Sequence, residues 1–387
     1  MDFALTDEQR LFRDSIRDFV EKEIIPVARE WEHAGRYPTE IVATMKRLGL
    51  FGLLIPESYG GMGADAVSFA LTFEEIARGW MGIAGILGSH SVSCWMIARH
   101  GTEDQKRAFL PALATGERRT GIALTEPGAG TDLQGITTTA RADGDDYVVN
   151  GTKMWITNAR YANPLPVLVK TDPAASPAHR GMSILLVDTD DPGVQVTKDI
   201  PKLGYKGTES CEVVLTDVRV GRDRLLGGEE GHGMQQALSS LETGRINVAS
   251  RSIGVAQRAY EEALGYARER TAFGRPIAGF QAIQLKIAEM ATRVQAARLL
   301  TYWAASQMDA GHRVDGETGM AKVFASEAAL FCALESMRVH GGYGYSQEFE
   351  VERLYRDAPL MAIGEGTNDV LRTVVARSLI GGKTTVG

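Results

Sequence analysis

The stretch Tyr147–Thr157, YVVNGTKMWIT, decides how the middle of the chain is read. The run Tyr147-Val148-Val149 precedes Asn150-Gly151, and a second run, Lys153 to Thr157, follows. Asn-Gly between two such runs is the pair a type I′ turn needs, since both positions tolerate positive φ, so the spacing predicts a β-hairpin. Further short β-like runs lie at Val167–Lys170, Ser183–Val187, Val194–Thr197 and Glu212–Leu215, punctuated by Pro and Gly. No helix-length period separates them, which argues against a parallel βαβ sheet. The expectation is an antiparallel barrel or sandwich that begins near Arg119 and ends near residue 231.

On either side the pattern is helical. Thr6 and Gln9 form a T-x-x-Q capping box, and Phe12, Ile16 and Phe19 follow at helical spacing until Pro26, where the run is expected to end. A Gly/Pro stretch, Ile55 to Gly63, separates this from a helix holding Phe69 to Ala77. After residue 232, Ile283, Ile287, Met290, Val294 and Ala297 recur in steps of four and three, the mark of a bundle helix, and Ala-rich helices continue through Val339. The chain therefore divides into 1–118, helical; 119–231, β; and 232–387, helical.

The chain has 387 residues, of which 43 are Gly, well above the usual share. They do not repeat as G-X-Y, so they serve turns, caps or close backbone approaches. Four of them, Gly79, Gly82, Gly85 and Gly88, stand three apart in an apolar stretch. Close helix packing explains them most simply; a tunnel for a ligand is the alternative. The formal charge is −7, with no Lys/Arg block at either end, so a nucleic-acid partner has no electrostatic support. Three scattered cysteines, Cys94, Cys211 and Cys332, suggest neither a disulfide framework nor a metal site, and point to a reducing, cytoplasmic setting. The N-terminal MDFALTDEQR is unlike a targeting peptide, the C-terminal TVG is no peroxisomal address, and no apolar run is expected to reach membrane-spanning length.

Four segments could carry chemistry. Ala123–Asp132, ALTEPGAGTD, is dense in turn formers and hydroxyl residues, yet is neither a Rossmann nor a Walker sequence. Trp155-Ile156-Thr157-Asn158 ends the expected hairpin; the Trp is either core or the cover of an aromatic ligand. Arg338–Tyr345, RVHGGYGY, reads as a helix C-terminus with His340 on the dipole and Gly as cap. Ile363–Asn368, IGEGTN, places Glu365 between two glycines, where a desolvated carboxylate has room to act as a base.

Together these residues resemble the acyl-CoA dehydrogenase family over nearly the whole chain. ALTEPGAGTD is similar to its flavin loop and GTKMWITN (Gly151–Asn158) to its second flavin motif. RERTAFGRPI with Phe280-Gln281 is similar to the segment that reaches a neighbouring subunit's FAD, and HGGYGY and EGTN complete the order. The resemblance implies an α+β fold: an N-terminal helical domain, a middle antiparallel β-barrel and a C-terminal four-helix bundle. It implies FAD and α,β-desaturation of an acyl-CoA thioester, or an acyl-carrier-protein thioester. Glu365 would be the α-proton base, and the β-hydrogen would leave as hydride to flavin N5. The backbone N–H of Glu365 and a ribityl hydroxyl would polarise the thioester carbonyl.

By the same resemblance, Ile122, Leu124, Thr125, Gly130, Thr131, Trp155 and Thr157 match flavin contacts. Arg270, Phe273 and Gln281 match contacts across a dimer or tetramer interface. Arg338, Gly341 and Gly342 fall near the pyrophosphate, and Thr367 and Asp369 complete the cofactor set. Thr131, Glu242, Arg245, Gly364 and Gly366 match substrate contacts. Electrons would pass to an electron-transfer flavoprotein; no metal is implied.

Three departures stand out. Arg338 replaces a common Gln and either meets phosphate or turns away. Gly364 stands where fatty-acyl members often carry Tyr. Ala84 and Gly88 fall where bulkier residues close the acyl tunnel, which suggests a roomy pocket. Some members carry the base at the position of Gly244, which cannot serve. An oxygen-using acyl-CoA oxidase or flavin monooxygenase, and a non-catalytic acyl-binding protein, are the competing readings; Glu365 argues against them.

Overall fold

The computed structural model describes residues 4–197, 199–382 and 384. The C-terminal Thr385–Gly387, read above for a targeting signal, lie outside the described residues. Six α-helices come first: α1 Asp7–Phe19, α2 Ile25–His33, α3 Thr39–Arg47, α4 Ala66–Gly79, α5 Met81–His100 and α6 Glu103–Ala114. Six strands follow: β1 Thr139–Asp143, β2 Asp146–Thr157, β3 Leu165–Lys170, β4 Met182–Val187, β5 Val194–Val196 and β6 Ser210–Gly221. Helix α7 spans Gly233–Glu269; a two-residue ribbon, Thr271–Ala272 with Arg275–Pro276, leads to α8 Gln281–Asp309, α9 Asp315–His340, α10 Val351–Ile363 and α11 Asn368–Ile380.

The capping box opens α1 as expected, Thr6 Oγ1 accepting from the Gln9 N–H. Pro26 does not end the helical run. A π-turn, Val20–Ile24, closed by the Ile25 N–H to Val20 O bond, widens the helix before it. Pro26 then sits in the first turn of α2, where its missing N–H is not needed.

The expected hairpin at Asn150-Gly151 is also absent. β2 runs straight through both residues for 12 residues, antiparallel to β6, with a shift of register between Val149 and Gly151. A Cβ on Gly151 would lie 2.3 Å from Thr138 Oγ1, so Gly is required there by a crossing segment rather than by a turn. The chain reverses earlier, at Gly144 (φ +64°), between the antiparallel β1 and β2. The sheet order is β4-β3-β1-β2-β6-β5, antiparallel except for a single parallel contact between β1 and β3. All six strands feed one core that includes Val149, Ile156, Val167, Leu185 and Val213.

The C-terminal core is built largely of alanine, among them Ala256, Ala259, Ala263, Ala325, Ala329 and Ala333, which lets α7, α8 and α9 approach closely. Helix α5 runs at the junction of the three parts. It is long and apolar enough to cross a membrane, contrary to expectation, but 83% of its apolar window is buried inside the protein. Its glycines are packing sites: added Cβ atoms would lie 1.8 Å from Tyr205 Oη at Gly85 and 2.7 Å from Asn247 Oδ1 at Gly88. Neighbouring side chains occupy the space beside these two glycines, as close helix packing expects. Asn158 Nδ2 donates to Ile86 O (2.8 Å) and Trp80 Nε1 to Lys206 O (3.2 Å), tying the sheet to the first helices. Arg353 Nη2 donates to Gly79 O (3.0 Å), tying the last ones in.

Candidate active site

Glu365 lies in the loop between α10 and α11 with φ +56°, a conformation rare for a side chain of this kind. Gly364 ends α10, its N–H bonded to Leu360 O (2.8 Å), and Gly366 takes φ +91°. Thr367 caps α11 by accepting from the Val370 N–H (3.3 Å), while Asp369 faces solvent beside Arg372. The loop is clamped from α9. Lys322, fully buried, donates to Gly366 O (2.8 Å) and Asn368 Oδ1 (3.0 Å), and Ser326, one turn on, exchanges hydrogen bonds with Asn368.

The clamp aims the carboxylate inward. Glu365 Oε2 is shut off from solvent and has no hydrogen-bond partner among the described residues. A Cβ on Gly244 of α7 would stand 2.6 Å from that oxygen, so the Glu365 carboxylate occupies the space Gly244 leaves. Burial raises the Glu365 pKa above the ordinary carboxylate value; Arg251, Arg245 and Lys322 pull it back. Nor does the Glu365 backbone N–H have an acceptor among the described residues.

Two residues before Gly244, burial and then the charge of Asp315 raise the Glu242 carboxyl to about 7. Arg245 lies 3.6 Å from Asp315 and keeps Nε and Nη1 buried without hydrogen bonds. The orphaned Arg245 groups would be satisfied by a polar ligand.

The two expected flavin segments are held together by a pair the sequence reading did not single out. Glu126, inside ALTEPGAGTD, is buried against Lys153, inside GTKMWITN, at 2.9 Å. Glu126 also accepts from Thr137 and Thr138, and Met154 N–H donates to Thr125 O (2.8 Å). The loop thus crosses the outer face of β2 with Gly128 open on every side, nothing lying within 4 Å of an added Cβ. Gly130 and Thr131 are exposed, Thr125 and Ile122 are half-buried, and Leu124 is packed inward.

Trp155 is not core. It has φ +64° where β2 loses register between Lys153 and Ile156, and is 53% exposed. A strained, turned-out indole beside an open Gly loop fits an aromatic ring such as a flavin. Thr157 closes the strand opposite Ser210, and Asn158 anchors it to α5 at Ile86, two residues from the Gly88–Asn247 contact. The second expected flavin segment and the α7 face that carries Asn247 therefore meet the same stretch of α5.

The remaining expected residues lie apart from this group. Arg270, Gly341 and Gly342 line a surface hollow of about 580 Å³ with Tyr266, Ile277 and Tyr343. Phe273, 95% exposed at φ +50°, and Gln281, the first residue of α8, stand on the neighbouring surface. Arg338 turns away from the hollow's glycines and pairs with Glu335 on its own helix at 2.5 Å. His340 does end α9, with Gly341 (φ +63°) behind it. Burial lowers its pKa, Nδ1 meets Ser336 O (2.8 Å) and the ring stacks on Tyr266, so the imidazole is packed at the helix end.

Three domain models match in order: the acyl-CoA dehydrogenase N-terminal domain at residues 6–117, middle domain at 121–218 and C-terminal domain at 231–380. The chain belongs to the acyl-CoA dehydrogenase family, FAD-dependent oxidoreductases that act on CH–CH bonds. It is 42% identical to a probable acyl-CoA dehydrogenase, YngJ, of Bacillus subtilis (98% of this chain, 100% of the relative). It is also 42% identical to a 3-(aryl)acrylate reductase of Clostridium sporogenes (97% and 99%). The solved butyryl-CoA dehydrogenase of Megasphaera elsdenii superposes with a TM-score of 0.95 at 37% identity, covering 98% of this chain and 100% of that one.

Proposed function

We propose that this chain desaturates an acyl-CoA between Cα and Cβ, with Glu365 as the base that takes the α-proton. The observation that carries this reading is the Glu365 carboxylate: its Oε2 is closed off from water and unpartnered, and it is seated over Gly244 with its pKa raised. A buried carboxylate kept basic and free of partners is suited to accept a proton from a weak carbon acid. The free Glu365 N–H can donate to a thioester oxygen and stabilise the enolate-like charge that develops as the proton leaves.

Trp155, Thr125, Thr131 and Thr157 would hold the isoalloxazine side of the FAD, with Ile122, Leu124 and Gly130 shaping the loop. Arg270, Gly341 and Gly342 would hold its phosphate side, which Phe273 and Gln281 of a neighbouring copy would help to enclose. When bound, the FAD supplies the hydride acceptor. Glu242 and Arg245 would meet the substrate, with Gly364 and Gly366 keeping the approach to the base bare. This assignment makes the enzyme a homodimer or homotetramer of three-domain subunits (1–118, 119–231, 232–387). We place it in the cytoplasm, in fatty-acid metabolism, with an electron-transfer flavoprotein as acceptor.

Glu365→Gln tests the reading. The variant is expected to retain FAD and to lose at least about 1000-fold in the rate at which acyl-CoA bleaches the flavin absorbance, the scale on which a positioned general base acts. Bleaching at a near-normal rate would refute the assignment.

A further inference from the structure

The face of α7 that meets Glu365 continues through Asn247 and Arg251, three and seven residues beyond Gly244. Opposite run Met81, Gly85 and Gly88 of α5, with the Tyr205 side chain between the helices. Arg251 is 7% exposed. Its Nη2 touches Met81 Sδ (2.8 Å), its Nη1 Asn247 Oδ1 (3.4 Å), and its guanidinium carbon lies 5.1 Å from the Tyr205 ring centre. Arg251 Nε and Asn247 Nδ2 are both buried without a hydrogen-bond partner. Among the described residues no carboxylate forms an ion pair with Arg251; Glu365 feels its charge without touching it.

A buried guanidinium with no carboxylate in contact is costly to keep, and two buried donors on one helix face ask for an acceptor. We propose that Arg251 and Asn247 form a carboxylate subsite at the far end of the acyl pocket, so that the substrate is the monothioester of a short dicarboxylic acid. This deepens the dehydrogenase reading and rests on it. The Arg251 side chain leans back toward the helix N-terminus to reach Asn247, about one turn, or roughly 5 Å, from the level of Gly244 and the base. That span suits a diacid of roughly four to six carbons, with the α-carbon at Glu365 and the distal carboxylate accepting from Arg251 Nε and Asn247 Nδ2.

The test uses FAD-loaded enzyme carrying Glu365→Gln, which holds substrate without turnover, titrated calorimetrically with glutaryl-CoA and with pentanoyl-CoA. Glutaryl-CoA is expected to bind at least about 30-fold tighter, as charge-assisted hydrogen bonds imply. Adding R251M is expected to bring the ratio near one, with R251K keeping part of it. Should R251M not load FAD, N247A decides: the ratio must fall there too.

Equal binding of the two thioesters, or a ratio unmoved by these substitutions, overturns the proposal. So does an R251M effect limited to the pH profile of flavin bleaching and alike for both thioesters, since that marks Arg251 as a positioning residue for Glu365. If glutaryl-CoA binds through Arg251 and yet no thioester bleaches the wild-type flavin, the subsite stands and the dehydrogenase reading falls.

Discussion

Two glutamates on glycine-containing loops, Glu126 buried and Glu365 half-buried, meet opposite treatment in this molecule. Burial alone would raise Glu126, but Thr138, the Lys153 cation and Thr137 hold it down to about 2. Burial raises Glu365, and three cations at a distance only soften the effect. The first carboxylate is spent on structure, since every lone pair is engaged; the second is left free to act. The two have opposite linkage to pH. Glu126 adds stability that is present above the ordinary carboxylate pKa and lost as pH falls through about 2. Glu365 favours the folded state while protonated, so its contribution is lost as pH rises from the ordinary value through its raised one. Perturbed, unpartnered carboxylates cluster at functional sites, which is the ground for the role proposed for Glu365.

The largest effect should come from breaking the engaged side. Lys153→Met leaves Glu126 buried without its cation, an uncompensated charge worth about 3–5 kcal/mol. The expected outcome is a clear fall in melting temperature together with loss of FAD, because the same pair joins both proposed flavin segments. Glu365→Gln, by contrast, removes a buried charge with no partner and should melt no lower than wild type. If Lys153→Met melted normally and Glu365→Gln collapsed, the two glutamates would have to exchange roles.

Gly244→Ala probes the free side. The new methyl would stand 2.6 Å from Glu365 Oε2, so the carboxylate must move by a fraction of an ångström or more. We expect flavin bleaching by acyl-CoA to slow by about 10- to 100-fold at little cost in melting temperature, as misplaced reacting groups do. An unchanged rate would mean that the carboxylate is not held where Gly244 leaves room for it.

The contrast between these glutamates was only half legible in the sequence. Periodicity gave away the helical, β and helical segments, and the flanking glycines drew attention to Glu365 and to the Ala123–Asp132 loop. The partners that decide the chemistry come from far along the chain. Lys153 is 27 residues from Glu126, and Lys322 is 46 from Asn368, so no local pattern joins them. Asn150-Gly151 misled for a related reason. The dipeptide records what the backbone tolerates, and here that freedom admits Thr138 beside β2 while Asn150 bonds Asp217 across to β6. Pro26 likewise marks a missing N–H, which a π-turn absorbs as readily as a helix end. Trp155 shows the converse: its exposure rests on a register shift that no propensity encodes.

The smallest effect should sharpen the comparison most. Lys322 is held down to about 8 by burial, yet its charge still lowers the pKa of Glu365. Base catalysis needs Glu365 ionised, so the rate of flavin bleaching rises with pH through that raised pKa. Lys322→Met removes one of three stabilising cations and should move the rise to higher pH by less than about one unit, each unit being 1.36 kcal/mol. The bonds to Gly366 O and Asn368 Oδ1 are lost as well, so a lower plateau is also expected. The direction of the pH shift separates the two contributions, because a mere loosening of the loop would lower the plateau and leave the midpoint in place. An unmoved midpoint with a lowered plateau would mean that Lys322 does not reach Glu365 electrostatically and serves only as a clamp.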